Sequence, residues 1–236
     1  MTLDPRLFAE GPARDARFAV REVWAEMDNL ESDALLNREF LHRQMNEEVN
    51  GLEMAARNLT DFPDAPWELR MAIARQCWDE SRHVTMFRRC YERRSGRVGE
   101  HPVLNFQYRI ITRIDTLIGR LAVQNRSFEA AGIDGIQEGI AVARARGEED
   151  LVELLEAQLA DEVEHVRYAN DWIKRLTDAG GARAAFDLAR AVAHANAAMA
   201  VVAGDNTVQY PVAEELRREA GFSAGEIAAV KEAREP

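Results

Sequence analysis

The sequence predicts an all-α protein, an antiparallel four-helix bundle with extra helices at its N- and C-terminal ends. Three observations predict it. Apolar residues recur with a 3.6-residue period over most of the chain, and few segments alternate like strands. Gly (14) and Pro (7) are sparse while Ala, Leu, Arg and Glu dominate, a composition that favours helices over sheets. The long periodic stretches are joined by short connections, as in antiparallel bundles.

The elements follow in order. A first helix is expected over about Ala13 to Asn29. A second begins near Ser32 or Asp33, both good N-caps. It runs to about Leu59 with the stripe Leu41, Met45, Leu52, Ala55, Leu59. The segment TDFPDAP, Thr60 to Pro66, ends it. A third spans about Trp67 to Arg94, with the stripe Ile73, Cys77, Val84, Phe87, Tyr91. After the loop SGRVGEHP, a long helix covers about Val103 to Ala131. It breaks or kinks at GIDG, Gly132 to Gly135, and resumes to Arg146. Gly147 precedes a helix of about Glu148 to Asp178 carrying Leu155, Leu159, Val166, Ala169, Ile173 and Leu176. AGGA ends that helix, an Ala-rich helix follows over about Arg183 to Val202, and the tail holds the loop GDNTVQYP and two short helices, the second capped by Ser223. The whole reads as one domain, 1–236. Residues 33–178 form the four-helix bundle and 179–236 a helical extension.

Composition narrows the function. Of 236 residues, 47% are hydrophobic and 30% charged, and the net charge is −11. So acidic a chain has no general attraction to nucleic acid or anionic membranes. Cys77 and Cys90 form no C-x-x-C pair, which removes zinc-ribbon, rubredoxin and thioredoxin sites; both read as buried thiols of one helix. The absence of a leader-like apolar stretch and of a membrane-length run points to a cytoplasmic protein.

The chemistry lies in two segments, Asp79-Glu80-Ser81-Arg82-His83 and Asp161-Glu162-Val163-Glu164-His165, both D-E-x-x-H. Glu at i and His at i+3 share a helix face about one turn apart, so both can reach one metal ion. Asp and Glu fill 41 of 236 positions, so an acid three before a given His arises by chance about one time in six. Two copies on long helices are harder to dismiss. Both glutamates also interrupt apolar stripes, where an unpaired carboxylate would be costly to bury.

A two-metal bundle site needs one more Glu from each of two other helices. Glu48 lies on the apolar stripe of the second helix. Glu47 shares its face with Gln44, Gly51 and Asn58 and reads as solvated; Glu53 lies well round the helix, as a supporting or exposed residue. Glu129 is the candidate on the long fourth helix. Glu48 precedes Glu80 by 32 residues and Glu129 precedes Glu162 by 33, so the chain contains two similar halves about a pseudo-twofold axis. The ligand set is Glu48, Glu80, His83, Glu129, Glu162 and His165. Four carboxylates balance two divalent ions, and oxygen ligands with one imidazole per metal suit iron or manganese. Asp79 and Asp161 are candidates to orient a ligand His, with surface aspartate as the alternative. Arg82 and Glu164 read as outward-facing or supporting. His42, His101 and His194 read as surface or capping histidines. Trp78, Tyr91 and Tyr168 read as core aromatics, with a redox path as the alternative.

These residues resemble the ferritin-like di-iron carboxylate superfamily. More narrowly the chain is similar to a bacterial ferritin-like family catalogued as a domain of unknown function, through EEVNGLEMAARNLTDFPDAP, WDESRHVTMF, FEAAGID, ADEVEHVRYANDWI and REAGFSAGEI. The likeness covers most of residues 35–230. That family carries a His two residues before the first ligand Glu, where this chain has Asn46. The resemblance implies a ferritin-like fold and two Fe ions, or Mn or mixed Mn/Fe. It does not supply a substrate.

The function expected is an O2-activating oxidase or oxygenase acting on a small organic molecule, with an external electron donor and no nucleic-acid or membrane partner. A homodimer is compatible with the sequence. The alternatives are a ferroxidase or iron-handling protein, and peroxide detoxification of the rubrerythrin or manganese-catalase type.

Overall fold

The computed structural model of the chain describes residues 1–27, 36–204 and 209–234. It contains two compact units, Met1–Leu117 with Ala191–Thr207, and Ile118–Arg190 with Val208–Pro236.

In the first unit, the N-terminal segment is not the expected helix. Within residues 13–27 it holds a short strand β1 (Val20–Arg21) and a 3-10 turn (Trp24–Glu26); positions 28 and 29 lie outside the described residues. Asp15 accepts from the Arg17 backbone N–H at 3.0 Å and from its guanidinium at 2.9 Å, a local turn that competes with helix. Arg14 then reaches outward to α1 (Arg38–Asp61), donating to Asn46, Asn50 and Glu53 at 2.8–3.0 Å. Long-range ties thus replace the intrahelical ladder.

The caps expected at Ser32 and Asp33 lie outside the described residues. Helix α1 begins instead after Asn37, whose side chain accepts from Phe40 N at 2.8 Å, as an N-cap does. It buries Leu41, Met45, Glu48 and Ala55 of the predicted face and leaves Leu52 and Leu59 half-buried. Helix α2 (Trp67–Arg93) follows the TDFPDAP break. Arg70 in its first turn donates to the Leu59 and Phe62 carbonyls at 3.0 and 3.1 Å, satisfying groups that the end of α1 leaves open. The two helices are antiparallel: Leu59 meets Arg70 at one end, Gly51 meets Glu80, and Glu48 meets His83.

The long fourth helix does not begin at Val103. Val103–Leu104 is a strand, β2, paired parallel with β1 in the register Val20↔Val103. A short helix α3 (Phe106–Ile111) follows, and residues 112–116 are non-helical. Pairing to β1 satisfies the backbone that a helix would otherwise have satisfied.

The second unit starts with α4 (Leu117–Val123), a π-helical turn (Gln124–Glu129) and α5 (Ala130–Arg146). No break occurs at GIDG. The helix passes through it because Asp134 is held on the inner side by Arg217 and Arg234 at 2.6 and 2.9 Å, and because the missing side chain of Gly135 makes room for Tyr210, whose ring would lie 3.1 Å from a Cβ there. The glycine serves packing rather than a kink. Gly147, at φ 69°, closes α5 in the left-handed conformation glycine tolerates.

Helix α6 (Glu149–Ala203) is interrupted at Gly181, with φ 55° and ψ −139°, at the AGGA break the sequence predicts. Arg144 of α5 reaches Glu156 while Asn125 reaches the His165 carbonyl, so the two helices run antiparallel. Helices α7 (Glu214–Glu219) and α8 (Ala224–Arg234) complete the unit. Ser223 caps α8 reciprocally: its hydroxyl and backbone N–H donate to Glu226 at 2.9 and 2.8 Å, and Glu226 N donates back at 3.3 Å, the capping-box arrangement. Ala213, Ala220, Phe222 and Ile227 pack with Ala130, Ile133, Val163 and Val166. The tail is therefore part of the hydrophobic core of this unit.

Candidate metal centre

Helical spacing alone brings Glu80 and His83 to one face of α2, and the antiparallel neighbour α1 adds Glu48. All three are buried, at 2%, 0% and 4% exposure. His83 Nδ1 lies 3.1 Å from Glu48 Oε2 and 3.3 Å from Glu80 Oε2. Ligand atoms of the three all fall within 4.8 Å of one another. Two carboxylates and an imidazole crowded into the protein interior are costly without a cation, and the oxygen-rich donor set is one that hard divalent ions take. Burial works to raise the Glu48 carboxyl; the bonds from His83 and Gln44 outweigh it and leave the group below its ordinary range.

The backbone is shaped to this cluster. A Cβ at Gly51 would stand 3.0 Å from Glu80 Cδ and 3.1 Å from its Oε1, so glycine lets α1 approach this closely without pushing on the carboxylate. Amides complete the setting: Gln44 donates to Glu48 Oε1 at 2.9 Å and Gln76 to Glu80 Oε1 at 3.0 Å.

The second unit repeats the pattern in part, with Glu129 only half-buried. Glu162 and His165 are buried on α6, with Glu162 Oε2 and His165 Nδ1 3.6 Å apart. Ligand atoms of Glu129 and His165 lie within 4.8 Å. Glu129 ends the π-helical turn, where Asn125 donates to its Oε2 at 2.8 Å and Gln124 to its Oε1 at 3.4 Å. A π turn is wider than an α turn, so positions four and five before Glu129 both reach it.

The other predicted residues divide. Asp79 is buried and accepts from Arg75 at 2.8 and 3.0 Å; Asp161 is half-buried. Glu53 pairs with Arg14 at 2.8 Å, and Asn46 anchors Arg14 and the Leu104 carbonyl, so both fasten the N-terminal segment to α1. Glu47 is not solvated as expected: it is half-buried and paired with Arg43 at 3.2 Å, and burial raises its carboxyl against that ion pair. Glu164 is exposed and pairs with Arg167 at 2.5 Å; Arg82 is partly exposed, 3.8 Å from Asp79.

Several single-residue expectations are corrected. Trp78 is 63% exposed and not a core aromatic; it lies on the face of α2 that also exposes Trp67 and Met71. Tyr91 is buried as expected, with its hydroxyl donating to Glu100 at 2.6 Å. Tyr168 is half-buried beside Asn125. Cys90 is buried and Cys77 only partly so. His42 is fully buried, accepting from Gly99 N at 2.8 Å among the rings of Phe18, Tyr91 and His101. Its burial comes from residues distant in sequence, which helical period cannot reveal.

Residues 5–228 match a protein family described as "Protein of unknown function (DUF455)". The chain belongs to that family. No curated protein matches it. Among solved structures, "Protein 19 with aldehyde deformylating oxidase activity" from Synechococcus superposes with a TM-score of 0.52 at 19% identity, over 82% of this chain and 97% of that one. Together with the helical architecture, that likeness gives this DUF455 chain an all-α, ferritin-like fold. Among the described residues no helix is long and apolar enough to cross a membrane.

Proposed function

We propose that this chain is a non-haem di-metal oxidoreductase, an O2-activating oxidase or oxygenase of a small organic substrate. Glu48, Glu80, His83, Glu129, Glu162 and His165 hold its two metal ions. The single observation carrying the reading is the buried convergence of Glu48, Glu80 and His83; in the second unit half-buried Glu129 and buried Glu162 each approach His165. The donor set fits iron, with manganese or a mixed Mn/Fe pair as variants. The whole chain acts as one ferritin-like domain, and the oxidase activity of the similar Synechococcus protein favours redox chemistry over storage.

Bound there, two ferrous ions would supply the electrons that reduce O2. The chain's own residues do the rest. Four carboxylates neutralise the charge of two divalent ions. Burial of Glu48, Glu80 and His83 keeps bulk water away, and the imidazoles enter as neutral ligands. In the oxygenase case one oxygen atom enters the substrate and the other leaves as water, so two electrons and two protons come from an external donor. A ferroxidase or a peroxide-consuming enzyme would use the same ligands.

The test is metal analysis followed by O2 uptake on the ferrous protein. Uptake that small organic molecules accelerate, with oxidised product formed, supports the reading. Rapid turnover of hydrogen peroxide supports the peroxide alternative, and assembly into large multimers holding hundreds of irons supports iron handling. Fewer than about one metal per chain in wild type and Glu80→Ala alike removes the site.

A further inference from the structure

Each of the four site glutamates is preceded, four residues earlier, by a carboxamide: Gln44 before Glu48, Gln76 before Glu80, Asn125 before Glu129 and Gln158 before Glu162. About one residue in fourteen of this chain is Asn or Gln. Four such positions would hold about 0.3 amides on average, against the four found. A residue four positions earlier lies on the same helix face, one turn toward the N-terminus.

In three cases the bond is in place, at 2.9, 3.0 and 2.8 Å. Gln76 and Asn125 are buried, and Gln158 holds the fourth position at 2% exposure. In the first unit the two oxygens of each carboxylate divide their work. Oε1 accepts from the amide, while Oε2 faces His83 Nδ1 at 3.1 Å for Glu48 and 3.3 Å for Glu80. In the second unit Asn125 takes Oε2 of Glu129, and the contact of Gln124 to Oε1 is longer, at 3.4 Å.

The residue type follows from the charges. A Lys or Arg donor would add positive charge beside the cation and compete with it. An Asp or Glu would repel the ligand. A carboxamide supplies the N–H and leaves the balance of four carboxylates against two divalent ions unchanged.

We propose that Gln44, Gln76, Asn125 and Gln158 are positioning residues of the metal centre. Each donates to one oxygen of the glutamate one turn ahead, fixes the carboxylate plane and leaves the other oxygen for the metal. The inference rests on the two-metal reading above.

The experiment titrates the metal-free full chain with Co(II), whose visible spectrum reports ligand geometry, and measures affinity by competition with a chelator. The variants are Gln76→Met, Gln44→Met and, as a control remote from the glutamates, Gln137→Met on an exposed position of α5. Two Co(II) ions per wild-type chain are expected. Gln76→Met and Gln44→Met each weaken binding by about 10- to 100-fold and alter the Co(II) bands, while the metal-free proteins melt close to wild type and Gln137→Met binds as wild type. Gln44 is half-buried, so its variant decides the matter if Gln76→Met fails to fold. Wild-type affinity and spectrum in the folded amide variants, or equal weakening in Gln137→Met, overturns the positioning role and leaves the metal centre standing. Less than about one Co(II) in the wild type overturns both.

Discussion

Gly51 on α1 closely faces the carboxylate of Glu80 on α2: a Cβ at Gly51 would lie 3.0 Å from Glu80 Cδ and 3.3 Å from its Oε2, so the carboxylate would have to give way slightly to admit a methyl group. That small shift disturbs a ligand, because Gln76 and His83 hold the two Glu80 oxygens at 3.0 and 3.3 Å. Gly51→Ala should therefore separate stability from metal binding. Alanine in a helix interior is favoured over glycine by roughly 0.5–1 kcal/mol, so the metal-free protein should melt no lower than wild type. Its divalent-metal affinity should fall about tenfold or more, as misplaced ligands do. Thermal melting beside a metal titration checks both halves.

Metal should stabilise the fold. A divalent ion at about 100 times its dissociation constant adds roughly 2.7 kcal/mol per site, visible as a rise in melting temperature on adding Fe(II) or Mn(II) to metal-free protein. Glu80→Gln should lose much of that rise. Without metal it should be at least as stable as wild type, because one of two crowded buried carboxylates becomes neutral. A metal-free Glu80→Gln protein several degrees less stable than wild type would contradict this.

His42 should set an acid limb of stability. Burial, reinforced by the neighbouring His101 and opposed by Glu100, lowers it from 6.5 to about 4. Above pH 6.5 the ring is neutral in both folded and unfolded chains, and its contribution is fully present. Between pH 6.5 and about 4 the unfolded chain binds a proton that the folded chain refuses. Stability therefore falls through that window, by at most about 3 kcal/mol. His42→Gln keeps an acceptor for the Gly99 N–H and should flatten this part of the profile in urea unfolding at pH 7.0, 5.5 and 4.5.

Asp134 should be the most sensitive buried charge outside the metal cluster. Its oxygens accept from Ala213 N at 2.9 Å, from Arg217 at 2.6 and 3.0 Å, and pair with Arg234 at 2.9 Å. Asp134→Ala would leave the buried Arg217 without its carboxylate, a loss of about 3–5 kcal/mol. Chemical denaturation measures it, and protease sensitivity beyond residue 209 should rise as α7 and α8 detach.

The sequence by itself determined the helical class, the hairpin formed by α1 and α2, and the break at Gly181, because apolar period and strong punctuation are local properties of the chain. It also singled out Glu48 over Glu47, since a carboxylate on an apolar stripe is anomalous wherever the stripe packs. The amides at Gln44, Gln76, Asn125 and Gln158 were not read from the sequence, which set Gln44 on the face of a solvated Glu47, although their i, i+4 spacing to the glutamates was there to find. Only the tertiary structure decided the rest. It decided that residues 13–27 fasten onto α1 through Arg14 rather than coil into a helix, that GIDG is threaded by a continuous helix gripped at Asp134, that His42 is buried and Trp78 exposed, and that Gly51 is a cradle for Glu80. Each of these turns on which distant segment covers a given face. Residues far apart in the chain settle that by competing for the same buried surface and the same hydrogen-bond partners, and no local pattern records the outcome.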